Sequence, residues 1–201
     1  MEIQSQYTDV VATVNGKAII ESDLMIKKQF LEVGKVTALQ QIDEMRAENI
    51  IDDATREQYI ADTNKNYVYN KDDVLNDLIR TEVMLQKAEE LGIAATDEEA
   101  LNEANNVIRM LKEAAQSDNS SDNADAIRNY KILTDYMTGF NMTEDEYIKQ
   151  IIVPSYKKDL SKSNLAKYYI GDDKESTPDE HKAKFNSIVD GLVAEAEIVI
   201  K

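Results

Sequence analysis

Val10-Val11-Ala12-Thr13-Val14-Asn15-Gly16-Lys17-Ala18-Ile19-Ile20 is the stretch that decides the fold. Two short runs rich in β-branched residues flank Asn15-Gly16. Both turn residues tolerate positive φ, so the stretch reads as a tight β-hairpin. A matching run, Ala196-Glu197-Ile198-Val199-Ile200, stands at the far end of the 201 residues. It is expected to pair with the opening strand, so that the two ends of the chain meet in a very small sheet.

Everything between these strands reads as helix. Ser22 is expected to cap a helix that carries Ile26, Phe30, Val33 and Thr37 along one stripe. Leu39 to Asn64 is polar and helix-favouring, with scattered Ile42, Met45, Ile50 and Ile60, and residues 36–66 are assigned to a peripheral helical arm. Asn70 caps a helix through Val74, Leu78, Val83 and Leu85 that ends at Gly92; apolar most of the way round, it is expected to be central. Thr96 with Glu99, and Thr143 with Glu146, form capping boxes, in which each side chain satisfies the other residue's free backbone N–H. The first opens a helix with Ala100, Ala104, Val107, Ile108, Leu111 and Ala115 on one face. Residues 117–123 form a polar connector to a helix carrying Ala126, Tyr130, Leu133, Met137 and Phe140. The second box opens a long helix that Pro154 is expected to kink, since proline removes a donor and crowds the preceding turn. Residues 171–176 form a connector, and Thr177-Pro178 starts the helix that returns the chain to its closing strand over 177–201. The fold class is therefore mainly α with a minimal β element, read as a single domain over 1–201.

Lysine and arginine number 23 against 39 acids, a net charge of −16. Such a field repels phosphate backbones and anionic lipid, so nucleic acid is excluded as a partner. No apolar run approaches the roughly 20 residues of a membrane span. Met1–Gln6 has neither the basic nor the apolar region of a leader, so no signal peptide is expected in this stretch. With no cysteine, thiolate catalysis, disulfides and cysteine-bound metal are excluded.

The remaining residues carry no catalytic pattern. His181, the one histidine, lies in a first helical turn, and the acids at Glu98-Glu99 and Glu144-Asp145-Glu146 complement helix dipoles. No loop has the alternating oxygen ligands of an EF-hand, no serine sits in a Gly-X-Ser-X-Gly elbow, and the six glycines form no phosphate-binding loop. No catalytic residue, metal or cofactor is expected. Seven methionines and ten tyrosines, with no tryptophan, point instead to apolar contact chemistry. Tyr136, Met137, Phe140 and Met142 place more apolar area at a helix end than a solvent-facing turn needs. The arm, with Met25 and Phe30 before it, is a second candidate binding surface.

Three stretches resemble SurA/PrsA-type chaperones in their order along the chain. They are Val11 to Ile19 followed by Ser22-Asp23-Leu24; Leu78-Ile79 through Gly92-Ile93 to Thr96-Asp97-Glu98-Glu99; and Met142-Thr143-Glu144-Asp145-Glu146-Tyr147 through Pro154 to Tyr156 and Lys158. The resemblance implies an extracytoplasmic chaperone, often lipid-anchored, that holds unfolded clients. It also implies a chaperone core whose last helix and strand return to the N-terminal segment. Relatives with prolyl-isomerase activity insert a parvulin domain of roughly a hundred residues, where this chain has only residues 171–176. The expected function is a non-enzymatic holdase for unfolded or partly folded polypeptides. The alternatives are an assembly module that forms a homodimer through its arm, or a divergent peptidyl-prolyl isomerase.

Overall fold

The structure, a computed structural model, describes residues 7–116, 123–139, 142–171 and 177–201. The chain is mainly helical, with one small antiparallel sheet built from its N-terminal and C-terminal strands. It divides into two compact units, one of residues 1–79 with 197–201 and the other of residues 80–196.

The first unit begins with strands β1 (Val10–Val14) and β2 (Lys17–Ile20). Asn15 and Gly16 have φ of 49° and 81°, the two positive values that a type I′ turn requires. The pairing runs Val14↔Lys17, Thr13↔Ala18 and Ala12↔Ile19, then slips to Val10↔Ile20, which leaves Val11 as a bulge. The closing strand pairs with β1, with Ala12 opposite Ile200 and Val14 opposite Ile198. The Asn15 side-chain carbonyl accepts the Glu197 N–H (2.8 Å), while the Asn15 N–H donates to the Glu197 carbonyl (2.8 Å). The turn residue thus also fixes the incoming strand. Ala12, Val14, Ile19 and Leu24 are buried in this unit.

Helix α1 (Glu21–Ala47) follows β2 directly. Ser22 is not its cap: the N-cap is Ile20, and Ser22 is buried in the first turn. Capping comes from main chain instead, because the N–H groups of Glu21 and Ser22 donate to the carbonyls of Asp9 and Tyr7 (2.9 and 3.0 Å). The Asp23 carboxylate accepts the Ile20 N–H (3.0 Å). The helix runs unbroken into the arm and stops at a Schellman turn, in which Ile50 N–H donates to Met45 O and Asn49 N–H to Arg46 O. Asn49 takes the left-handed conformation this turn needs, with φ of 58°. Asp52 then caps α2 (Asp53–Asn66) by accepting the Thr55 N–H (2.8 Å). The single arm helix read from sequence is therefore two helices joined by a turn.

Helix α3 (Lys71–Glu90) crosses from the first unit into the second. Asn70 caps it, accepting the Asp72 N–H (3.1 Å). It ends in a second Schellman turn, with Ile93 N–H on Ala88 O, Gly92 N–H on Glu89 O and Gly92 at φ of 69°. No residue from Leu78 to Ala88 is exposed, as expected for a helix apolar round most of its surface.

The second unit continues with α4 (Asp97–Gln116), α5 (Asn123–Gly139), the short α6 (Glu144–Tyr147), a π-helical turn (Ile148–Ile152), α7 (Val153–Ile170) and α8 (Pro178–Glu195). Strand β3 (Ile198–Ile200) then completes the first unit's sheet, in the order β2-β1-β3. Capping boxes at Thr96/Glu99, Thr143/Glu146 and Thr177/Glu180 all form. Ala104, Ile108 and Ile148 make a buried cluster against Leu101, Leu133, Ile152, Val153 and Tyr156. Val107, expected on that face, points outward instead and is 37% exposed.

Pro154 interrupts the long helix as a widened turn. Val153 N–H reaches back five residues to Ile148 O, and this π geometry accommodates the missing donor and the proline ring. The segment after α3 is fastened to α7 by Ser161, whose Oγ accepts the buried Ala95 N–H (2.9 Å) and donates to Lys157 O (2.7 Å). Asn164 adds a bond from its amide to Ile93 O (3.1 Å).

Candidate functional site

The arm is an antiparallel helical hairpin whose register is read from its cross-links. Arg56 donates twice to one oxygen of Asp43 (2.9 and 2.6 Å), and Arg46 pairs with Asp53 beside the turn. Nearer the base, the Tyr67 ring lies so close to Gly34 that a Cβ there would sit 2.7 Å from it. Lys28 lies over the Tyr69 ring at 5.7 Å. The interior of the hairpin is thin, since between Val36 and Asn66 only Ile42 and Thr63 are buried.

That economy leaves apolar side chains in water. Phe30, Val36, Ile50, Tyr59 and Val68 are all exposed in this one unit, Ile50 at the turn by 61%. Beside Ile50 the turn encloses a depression of about 490 Å³ lined by Arg46, Asn49, Ile51, Asp52, Asp53 and Thr55. Exposed apolar side chains gathered on one element are candidate contacts for another molecule.

The site residues expected from sequence divide between the units. Met25 is half-buried and Phe30 is 37% exposed, both on α1. Met137 is buried and its carbonyl accepts the Met142 N–H (2.9 Å), so it fills the interior of the second unit. Tyr136 and Met142 are half-buried, and Phe140 lies outside the described residues. Tyr136 stands near Tyr147, whose hydroxyl pKa is pushed up to about 12, chiefly by burial and further by Tyr136. Of the two surfaces read from sequence, the arm is the one with its apolar groups in water. The exposure of Ile50 and Tyr59 follows from the turn at Asn49, which the sequence signals only through Asn49 and the Asp52 cap.

A second depression, of about 500 Å³, lies between α4 and α7 and is lined by Ala95, Glu99, Asn102, Glu103, Asn106, Leu160 and Asn164. Its carboxylates and amides have no nucleophile beside them, and Glu99 is already engaged by Thr96. Among the described residues no group of three or more His, Cys, Asp or Glu could hold a metal ion, and no helix is long and apolar enough to cross a membrane.

The carboxylates that shape these elements are held below their ordinary pKa. Hydrogen bonds from Thr55 lower Asp52, the hydrogen bond and charge of Arg46 lower Asp53, and Thr96 and Thr143 lower Glu99 and Glu146. A depressed carboxylate pKa means that folding favours the charged form. The contribution is in force above the ordinary value of about 4 and fades as pH falls through the lower folded-state value. The amide proton resonances of Thr55, Thr96 and Thr143 are therefore expected to titrate with midpoints below those of ordinary aspartate and glutamate side chains. Midpoints at or above the ordinary carboxylate value would contradict the caps.

No family model, curated protein or solved structure matches the chain.

Proposed function

We propose that this protein is a non-enzymatic chaperone that holds unfolded or partly folded polypeptides on the α1–α2 arm. The observation that carries the reading is the arm itself, a hairpin with little interior that keeps Val36, Ile50 and Tyr59 in water. An unfolded segment exposes apolar side chains without a fixed shape, and a long, weakly patterned surface accepts many such sequences where a deep pocket selects one. The net charge of −16 keeps such a surface soluble and separates loaded molecules from one another. The succession of motifs that resembles SurA/PrsA-type chaperones supports the same reading, and with it a place of action outside the cytoplasm. Between α7 and α8 the chain has only residues 171–177, which supports a chaperone without prolyl-isomerase activity.

The test is suppression of aggregation of a chemically denatured client by the full chain. A several-fold molar excess is expected to suppress aggregation. The variant Val36→Ser/Ile50→Ser/Tyr59→Ser is expected to lose most of that effect. Its far-UV circular dichroism should match the parent's, since exposed substitutions usually change stability by less than about 0.5 kcal/mol each. Absence of suppression by the parent chain, or equal suppression by the variant, would refute the reading.

A further inference from the structure

Among the described residues strand β3 is an edge of the sheet, and its outer side has a definite pattern. Asn15 N–H donates to Glu197 O (2.8 Å), Lys201 N–H donates to Val11 O (3.0 Å), and Thr13 stands opposite Val199. Antiparallel ladders alternate, so the main-chain groups of Glu197, Val199 and Lys201 face β1. Those of Ile198 and Ile200 face away from it. The side chains at this edge are apolar and accessible, Val199 being 47% and Ile200 60% exposed. The opposite edge is blunted, because the Ile20 N–H of β2 is taken by Asp23 and the strand passes straight into α1.

The sequence of the open edge, Glu197-Ile198-Val199-Ile200-Lys201, is complementary in charge to its own reverse. Antiparallel pairing about Val199 sets Ile198 against the second copy's Ile200, and both residues direct their N–H and C=O across the new seam. Four main-chain hydrogen bonds form. Glu197 then faces the second copy's Lys201 at both ends of the seam, and opposite charges in cross-strand positions stabilise pairing. An arbitrary extended segment would leave these two charges unmatched. We infer that β3 is a self-association edge, through which two copies join their sheets into one six-stranded antiparallel sheet in the order β2-β1-β3-β3-β1-β2. Three residues per copy make a small interface, so the dimer is weak and reversible. The net charge of −16 on each copy opposes it, and it forms where salt screens that repulsion. Association through β3 does not depend on client binding by the arm.

The experiment is a sedimentation-velocity dilution series of the full chain at about 0.15 M salt, where the Debye length is about 8 Å. A reversible monomer–dimer equilibrium is expected. Glu197→Lys alone and Lys201→Glu alone are each expected to weaken self-association roughly tenfold, since two attractive contacts become repulsive. An equimolar mixture of the two variants should dimerise about as tightly as the parent, because every facing pair is then opposite in charge. Ile200→Pro removes an outward donor while leaving the bonds to β1, and is expected to abolish the dimer with helical content intact. A parent chain that stays monomeric throughout the series would overturn the inference. So would a dimer indifferent to the charge variants and their mixture, or one lost only with Val36→Ser/Ile50→Ser/Tyr59→Ser.

Discussion

Leu165→Ala is expected to lower the unfolding free energy by about 2–5 kcal/mol, a large share of the stability of an ordinary domain. Leu165 has no exposed surface, and α7 holds it within the second unit one turn beyond Ser161. Truncation removes apolar burial and leaves a cavity that the close-packed surroundings fill only in part. Leu165→Met keeps most of the volume and is expected to cost less than about 1.5 kcal/mol. Urea denaturation of both variants measures the difference. A loss below about 1 kcal/mol for the alanine variant would show that the site relaxes or is not closed.

Ser161→Ala comes next in size, although it deletes a single oxygen. Ser161 is 2% exposed, and its Oγ is the acceptor for the buried Ala95 N–H. Alanine fits the space but strands that N–H away from water, which costs about 1–3 kcal/mol. The variant is expected to unfold at lower urea and to exchange its Ala95 amide proton faster. Ser155→Ala, at an exposed position on the same helix, should stay within about 0.5 kcal/mol of the parent. Unchanged exchange at Ala95 in the Ser161 variant would mean that another group satisfies it.

Local chemistry explains what the sequence made legible. The Asn15-Gly16 turn, the Thr/Glu capping boxes at Thr96 and Thr143, the start at Thr177-Pro178 and the stop at Gly92 depend on residues at most four apart, so each can be read without the rest of the chain. The pairing of the closing strand with β1 was also legible, because both runs are short and rich in β-branched residues. The break at Asn49 carries the same kind of signal, but the arm's weak apolar periodicity gave no reason to look for a second helix there. Ser22 shows the opposite case: a good capping residue lost its role because the carbonyls of Tyr7 and Asp9 arrived first.

Orientation was harder to read. Met137 and Phe30 both sit on helical apolar stripes, yet Met137 is buried and Phe30 is 37% exposed. Whether a stripe faces a neighbour or water depends on what packs beside it, and that is fixed by tertiary structure alone. Val107 is likewise apolar, one residue before the buried Ile108, and is turned outward by the 100° step of the helix. The arm remained recognisable because Ile42, Met45, Ile50 and Ile60 are scattered through an otherwise polar, helix-favouring stretch.

Site-directed photo-cross-linking to an unfolded client tests client binding by the arm most directly. A photoreactive side chain at Tyr59 on α2 is expected to form abundant adducts with a denatured polypeptide, competed by unlabelled client. The same group at Lys182, exposed on α8, should form few. Equal labelling from both positions, or none from Tyr59, would contradict client binding by the arm.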